Sequence, residues 1–293
     1  MNAERKKNES ARSSRLTLRQ AQGPEPSRGT RHASRHGAFI TGTDTGVGKT
    51  LVTAALALCL KQRGVVVGVM KPVETGYGIE GAAESDAARL CAAAGMTEPV
   101  EAISPYRFPD PLAPLDAARR AGTVIRMNTI VAAFHALTAR HSLMLIEGAG
   151  GVRVPISEKA DMRDLIERLG LPVIVVGRTA IGSVNHVLLT LEALAWRRIA
   201  ITAVVLNQTQ NRPPTIVDGM QQSSTLALLR ERSGVPVVGP LPYVPLLQHS
   251  WEQGLAAMAG SVAINELADL VTGTARRMRV SRPARRARAR SRR

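Results

Sequence analysis

Cysteine is nearly absent from this 293-residue chain: Cys59 and Cys91 are the only two, far apart and outside any paired motif. That excludes a disulfide framework and a zinc ribbon, and the two side chains read as buried free thiols of a reducing compartment. Aromatic residues make up 3% of the chain, too few for the stacking platforms of a single-strand nucleic-acid binder. No uncharged apolar run reaches the roughly 18 residues that a membrane helix needs. The N-terminus has no apolar stretch behind its charges, so it is no secretory signal. Gly23-Pro24-Glu25-Pro26 would break the long amphipathic helix of a transit peptide. The expectation is a cytoplasmic protein without a membrane segment. No Ser/His/Asp triad and no metal-spaced His/Cys cluster stands out.

Acidic residues are scarce too, but only at the ends. Residues 275–293 hold ten Arg and no Asp or Glu, and residues 1–36 hold nine Lys/Arg against three Glu. These tails account for the whole net charge of +16, because residues 37–274 balance 20 basic against 20 acidic side chains. The total suggests a polyanion binder; its distribution confines that suggestion to the tails. Both tails lack the apolar surface to offset ordering entropy and are expected to be disordered. The first also fits a translation start placed too far upstream. Weak, salt-sensitive polyanion binding is the alternative to plain solvation.

The 37–274 body alternates short apolar runs with helix-length segments. The runs lie at 38–42, 65–71, 142–147, 172–177, 199–206 and 235–238. Helical segments are expected near 49–63, 84–95, 127–140, 161–169, 184–197, 215–233 and 252–272. Near-continuous apolar strands alternating with helices imply an α/β fold, a doubly wound, mostly parallel sheet with helices on both faces. Ligands bind at the carboxyl ends of such strands.

The first run leads into Gly42-Thr43-Asp44-Thr45-Gly46-Val47-Gly48-Lys49-Thr50, a P-loop between strand and helix. Its glycines let backbone N–H groups surround a polyphosphate, and the helix N-terminus adds partial positive charge. Lys49 suits the β- and γ-phosphates, and Thr50 suits Mg²⁺. Relative to the common spacing, Thr43 takes the first-glycine position and the glycine stands one earlier, at Gly42. Further strand ends carry polar groups. Lys71, followed by Pro72, faces the same crevice and suits a developing anion. In Glu84-Ser85-Asp86-Ala87, Ser85 or Asp86 serves as a helix cap, or Asp86 as a Mg²⁺ ligand. Glu147 precedes Gly148-Ala149-Gly150-Gly151, where P-loop proteins place a carboxylate that organises Mg²⁺. Asn207 ends another strand as a base reader or a turn residue. In Gly182-Ser183-Val184-Asn185-His186, Ser183 reads as a helix cap beside N–H groups suited to a carboxylate, and His186 as a packed histidine.

Taken in order, GTDTGVGKT, MKPVETG, ESDA, IEGAGG, IGSVNH and VVGPLPY resemble the dethiobiotin synthetase family over essentially all of 37–274. The resemblance implies a P-loop NTPase-like fold and a homodimer. It implies ATP- and Mg²⁺-dependent ureido-ring closure on 7,8-diaminononanoate with CO₂. Carried over, Thr45, Gly46, Val47, Gly48, Lys49, Thr50 and Leu51 would line ATP. Thr50, Asp86 and Glu147 would hold Mg²⁺, and Lys71 would be the catalytic lysine alongside Lys49. Thr75, Gly150 and Gly151 would meet the diamine, and Asn207 with Pro242-Tyr243 the adenine. Gly182, Ser183 and Asn185 would reach from the partner subunit to the substrate carboxylate. Some members carry an acid where this chain has Gly46, so the diamine and metal surroundings differ there. Two rivals share the fold. A partition-type switch ATPase on DNA or membrane would carry an early loop lysine where this chain has Asp44. A cobyrinic-acid-type amidotransferase would need a C-terminal glutaminase domain with a cysteine.

Overall fold

The computed structural model describes residues 37–78, 85–209 and 215–273. Both basic tails and Glu84 lie outside them, so the expected disorder of the tails and their separation from the body remain expectations.

The chain runs β1 (Gly37–Gly42), α1 (Lys49–Gln62), β2 (Val67–Met70), β3 (Val73–Thr75), α2 (Asp86–Ala94), α3 (Val100–Ile103), β4 (Tyr106–Phe108), α4 (Pro114–Arg120) and α5 (Met127–Thr138). It continues with β5 (Leu143–Gly151), β6 (Pro155–Ser157), β7 (Ala160–Asp161), α6 (Met162–Leu169), β8 (Val173–Arg178), α7 (Ser183–Trp196), β9 (Ile201–Asn207), α8 (Ile216–Arg232) and β10 (Val237–Leu241). A 3-10 turn at Pro245–Gln248 leads to α9 (Trp251–Ala259) and α10 (Val262–Thr272). Six strands form one parallel sheet in the order β10-β9-β8-β1-β5-β2. β1 lies inside the sheet between β5 and β8, so the loop after it opens where the strand order switches direction.

The two-residue period of the strands divides the core between the faces. Ala38, Ile40, Leu143, Leu145, Ile174, Val176, Ala203 and Val205 pack under α1, α2, α9 and α10. Their neighbours Phe39, Met144, Ile146, Val173, Val175, Val204 and Leu206 pack under α5, α6, α7 and α8. Each fully buried side chain of this kind contributes about 1.5–3 kcal/mol. The double-sided burial explains why the strands read as continuous apolar runs and not as alternating ones.

Several expectations need correction. The segment expected as one helix over 252–272 is two, α9 and α10. Ser261 breaks it by capping α10, its hydroxyl accepting from Ile264 N–H at 3.3 Å. The residue before α7 is Gly182 in a left-handed conformation, so Ser183 is the first helical residue and not the cap. His186 is exposed and not packed, because Val187 and Leu191 turn the apolar side of α7 to the core. Cys59 is buried, but Cys91 is only half-buried; both are free thiols. Among the described residues no single helix is long and apolar enough to cross a membrane.

Candidate active site

The loop after β1 is shaped by close packing. A Cβ on Gly42 would stand 2.7 Å from the Asp44 carbonyl oxygen and 2.8 Å from Val47 Cγ2, which accounts for the glycine one position early. Gly48 has φ +94°, and a Cβ there would collide with the Asn207 side-chain amide. The loop's carbonyls are tied down. Asn207 Nδ2 donates to Val47 O at 3.0 Å, and an Arg178 guanidinium nitrogen donates to Thr45 O at 3.1 Å. Lys49 Nζ donates to Asp44 O at 3.2 Å, a bond that a bound phosphate would replace. The Val47 side chain is fully buried in the core, so this residue can offer only backbone to a nucleotide, whereas Leu51, in the first turn of α1, is half-buried.

Beside the loop lies a buried charge cluster. Lys71 Nζ sits 2.5 Å from Glu147 Oε1 and 2.7 Å from Asp86 Oδ2. Thr50 Oγ1 donates to the same Glu147 oxygen at 2.9 Å. Lys71 follows β2 and is pinned by its N–H donating to Ile103 O at 3.0 Å. Glu147 lies within β5 and is fully buried, and its Oε2 has no hydrogen-bond partner among the described residues. A buried lone carboxylate oxygen is costly unless something engages it. Together with the Thr50 hydroxyl and Asp86, it offers the hard oxygen donors that suit Mg²⁺. Among the described residues no group of three or more His, Cys, Asp or Glu could hold a metal.

A cleft of about 580 Å³ joins these parts. Thr45, Gly46, Gly48, Lys49, Thr50, Lys71, Thr75, Asp86, Glu147 and Gly150 all line it. Gly151 does not; it borders a neighbouring groove with Asp44, Arg153 and His186. Asn207 is buried behind the loop, its Oδ1 without a partner among the described residues, and Leu241 pairs with it in the sheet, placing Pro242-Tyr243 just beyond. Gly182, Ser183 and Asn185 stand at the start of α7, outside the cleft lining of their own chain.

A family model described as an AAA domain matches residues 36–250. An "ATP-dependent dethiobiotin synthetase BioD" of Anaeromyxobacter dehalogenans (strain 2CP-C) is 48% identical over 173 residues, covering 59% of this chain and 77% of the relative. A protein of the same name from Thermodesulfovibrio yellowstonii is 37% identical over 219 residues, covering 71% and 89%. The chain belongs to the dethiobiotin synthetase family. Among solved structures, the MinC:MinD cell division complex of Aquifex aeolicus aligns with a TM-score of 0.49 at 14% identity, over 86% of this chain and 99% of that one.

In this family member the electrostatics of the cleft are set by burial and pairing. Burial lowers the Lys71 pKa, but Glu147 and Asp86 outweigh it and raise it above the ordinary lysine value, so the ammonium stays charged. Burial pushes the Glu147 carboxyl up, with Lys71 and Lys49 opposing. We take Lys71–Glu147 as an ion pair, because a neutral Glu147 would leave the buried ammonium only the partly exposed Asp86. Burial also raises Asp86, but Lys71 more than reverses this and holds it below the usual carboxylate range. Lys49 is lowered by burial, with Glu147 opposing; a bound phosphate would favour its charged form.

Three residues beside the site have no role assigned from the sequence, although Glu74 lies within MKPVETG. Arg178, at the carboxyl end of β8, ties down Thr45, and its buried Nε has no partner among the described residues; its strand-end position is the sequence signal for it. The buried Glu74 and the half-buried Arg107 form an ion pair across β3 and β4. They are 33 residues apart, and no local pattern links them.

Proposed function

We propose that the protein closes the ureido ring of dethiobiotin from 7,8-diaminononanoate, CO₂ and ATP, releasing ADP and phosphate. The observation that carries the proposal is the lysine ammonium clamped between Asp86 and Glu147 beside the P-loop Lys49 and Thr50. The family shown by the curated relatives supports the substrate.

One amine of the substrate takes up CO₂ and loses a proton to give a carbamate. A carbamate oxygen then attacks the γ-phosphorus in line, and the bond to the β–γ bridging oxygen breaks as ADP leaves. The second amine attacks the carbonyl carbon of the mixed anhydride, loses its proton and expels phosphate. None of these steps needs a side-chain nucleophile; positioning and charge neutralisation suffice. Lys49 would hold the transferred phosphoryl group, and the loop N–H groups the β-phosphate. The rigidly held Lys71 would face the carbamate and the oxygens in transit, its charge kept by its two carboxylates. Thr75, Gly150 and Gly151 would border the diamine, and Gly46 leaves that side without an acidic side chain. Thr50, Asp86 and Glu147 would hold Mg²⁺, which supplies charge neutralisation on the phosphate oxygens. Asn207 and Pro242-Tyr243 would face the adenine. Gly46, Val47, Gly48 and Leu51 would contribute backbone.

We infer a homodimer in which Gly182, Ser183 and Asn185 of one protomer meet the substrate carboxylate in the other. In support, these residues sit apart from their own cleft, and Ile181 and Leu189 on the same surface are 80% and 55% exposed. The setting is the cytoplasm, as the two free thiols suggest. The basic tails would remain peripheral, with no specific nucleic acid and no membrane as partner. Purified protein given diaminononanoate, bicarbonate and MgATP is expected to form dethiobiotin, detected by mass; folded protein that forms none would contradict the proposal.

A further inference from the structure

We propose that Glu74, held by Arg107, is a positioning residue that sets the metal-binding posture of Asp86; this rests on the reading of Asp86 as a Mg²⁺ ligand. Glu74 lies on β3, three residues after Lys71, and is 3% exposed. A carboxylate this deeply buried is costly unless its oxygens are engaged. Both are: Oε1 accepts from the Ala87 backbone N–H at 3.3 Å, and Oε2 from Arg107 Nε at 3.2 Å. Arg107 is itself fixed. It sits on β4, which pairs with β3 in a two-stranded sheet, and its guanidinium lies 4.2 Å from the centre of the Tyr77 ring.

Ala87 is the residue after Asp86 in the first turn of α2, where backbone N–H groups lack helical partners. Ser85 caps the same turn from the other side, its Oγ accepting from Ala88 N–H at 3.1 Å. Asp86 is therefore flanked by two fixed points. The segment bearing Lys71 and Glu74 meets the start of α2 twice, through Lys71–Asp86 and through Glu74–Ala87. The first tie involves the proposed metal ligand itself and must loosen if Asp86 turns to a cation. The second does not touch the cleft and would hold the helix start in place while that happens. The two-stranded sheet has a role in this arrangement, because it brings Arg107 to Glu74.

The test uses the full-length chain, a non-hydrolysable ATP analogue and Mn²⁺, with metal binding read by electron paramagnetic resonance. Glu74→Gln and Arg107→Met are each expected to weaken Mn²⁺ binding in the nucleotide complex about tenfold, as outer-shell changes do. Affinity for the metal-free nucleotide should stay at the parent value. Asp86→Asn serves as the control. If Asp86→Asn weakens Mn²⁺ binding while Glu74→Gln and Arg107→Met bind it like the parent, the positioning role is overturned and the metal assignment stands. If Asp86→Asn also binds Mn²⁺ like the parent, the metal assignment fails and this inference fails with it. Should Glu74→Gln not fold, Arg107→Met decides alone, since it keeps the Glu74 carboxylate and removes the guanidinium that holds it against the Ala87 N–H.

Discussion

Replacing Lys71 by Met keeps most of the side-chain volume and removes the charge that two carboxylates share. Removing one partner of a buried ion pair costs about 3–5 kcal/mol. Glu147 is fully buried and bears most of that cost, whereas the Asp86 side chain is 36% exposed and can rehydrate. The lower end, about 3 kcal/mol at pH 7, is therefore expected. The pH dependence gives a second signature. Without Lys71, burial leaves Glu147 with a folded-state pKa above its unfolded value, so the folded state binds more protons and stability rises as pH falls from 8 towards 5. The parent's Glu147 is raised by burial as well, but Lys71 opposes the shift, so its acid-side gain is smaller than the variant's. The parent's raised Lys71 contributes stability that is lost only as pH climbs past the ordinary lysine range. Its depressed Asp86 contributes stability that is present at neutral pH and lost as acid protonates it. Urea denaturation of both proteins at pH 5, 6, 7 and 8 measures the two curves. A Lys71→Met variant as stable as the parent at pH 7, or one without the acid-side gain, would refute the ion-pair reading. The same variant is expected to lose ring closure.

Gly48→Ala should weaken ATP binding at least about tenfold in calorimetry, because a left-handed alanine costs about 1–2 kcal/mol and its Cβ displaces the Asn207 amide. Asn207→Ala frees the Val47 carbonyl, and it should lower ATP affinity by about 1–3 kcal/mol with the fold retained by circular dichroism. Leu145→Ala, at a fully buried sheet position, should cost about 2–5 kcal/mol in denaturant unfolding. Glu98, half-buried but drawn below its ordinary value by its own backbone and by His141 at 3.0 Å, adds stability that is lost as pH falls through the carboxylate range. Glu98→Gln should therefore be less stable than the parent at pH 7 and equal to it near pH 3.

The sheet is legible in the chain because parallel strands covered on both faces must be continuously apolar, and each of the six apolar runs overlaps a strand of the sheet. Their ends are less legible: β5 continues through Gly148-Ala149-Gly150-Gly151, where glycines argue for a turn but the backbone still pairs with β1. The P-loop is legible as a local motif bounded by strand and helix. Lys71, Asp86 and Glu147 are legible only as strand-end or helix-start residues; that one ammonium joins both carboxylates is a tertiary fact. The short strands β3, β4, β6 and β7 run two or three residues, below the length at which periodicity speaks. The break between α9 and α10 carried a signal in Gly260-Ser261, a glycine followed by a serine cap. His186 misleads because its apolar neighbours Val187 and Leu188 suggest a buried stretch, whereas the helical period turns its own position outward.

The central claim is that ATP is consumed to close a ring on a diamine and not to drive a switch. The direct measurement supplies ¹³C-bicarbonate, diaminononanoate and MgATP, and quantifies ADP alongside labelled dethiobiotin. The account predicts one labelled carbon in the product, one ADP per ring closed, and negligible ATP hydrolysis when the diamine is omitted. ATP turnover that proceeds without the diamine and rises on adding DNA or lipid vesicles, with no labelled product, would contradict it.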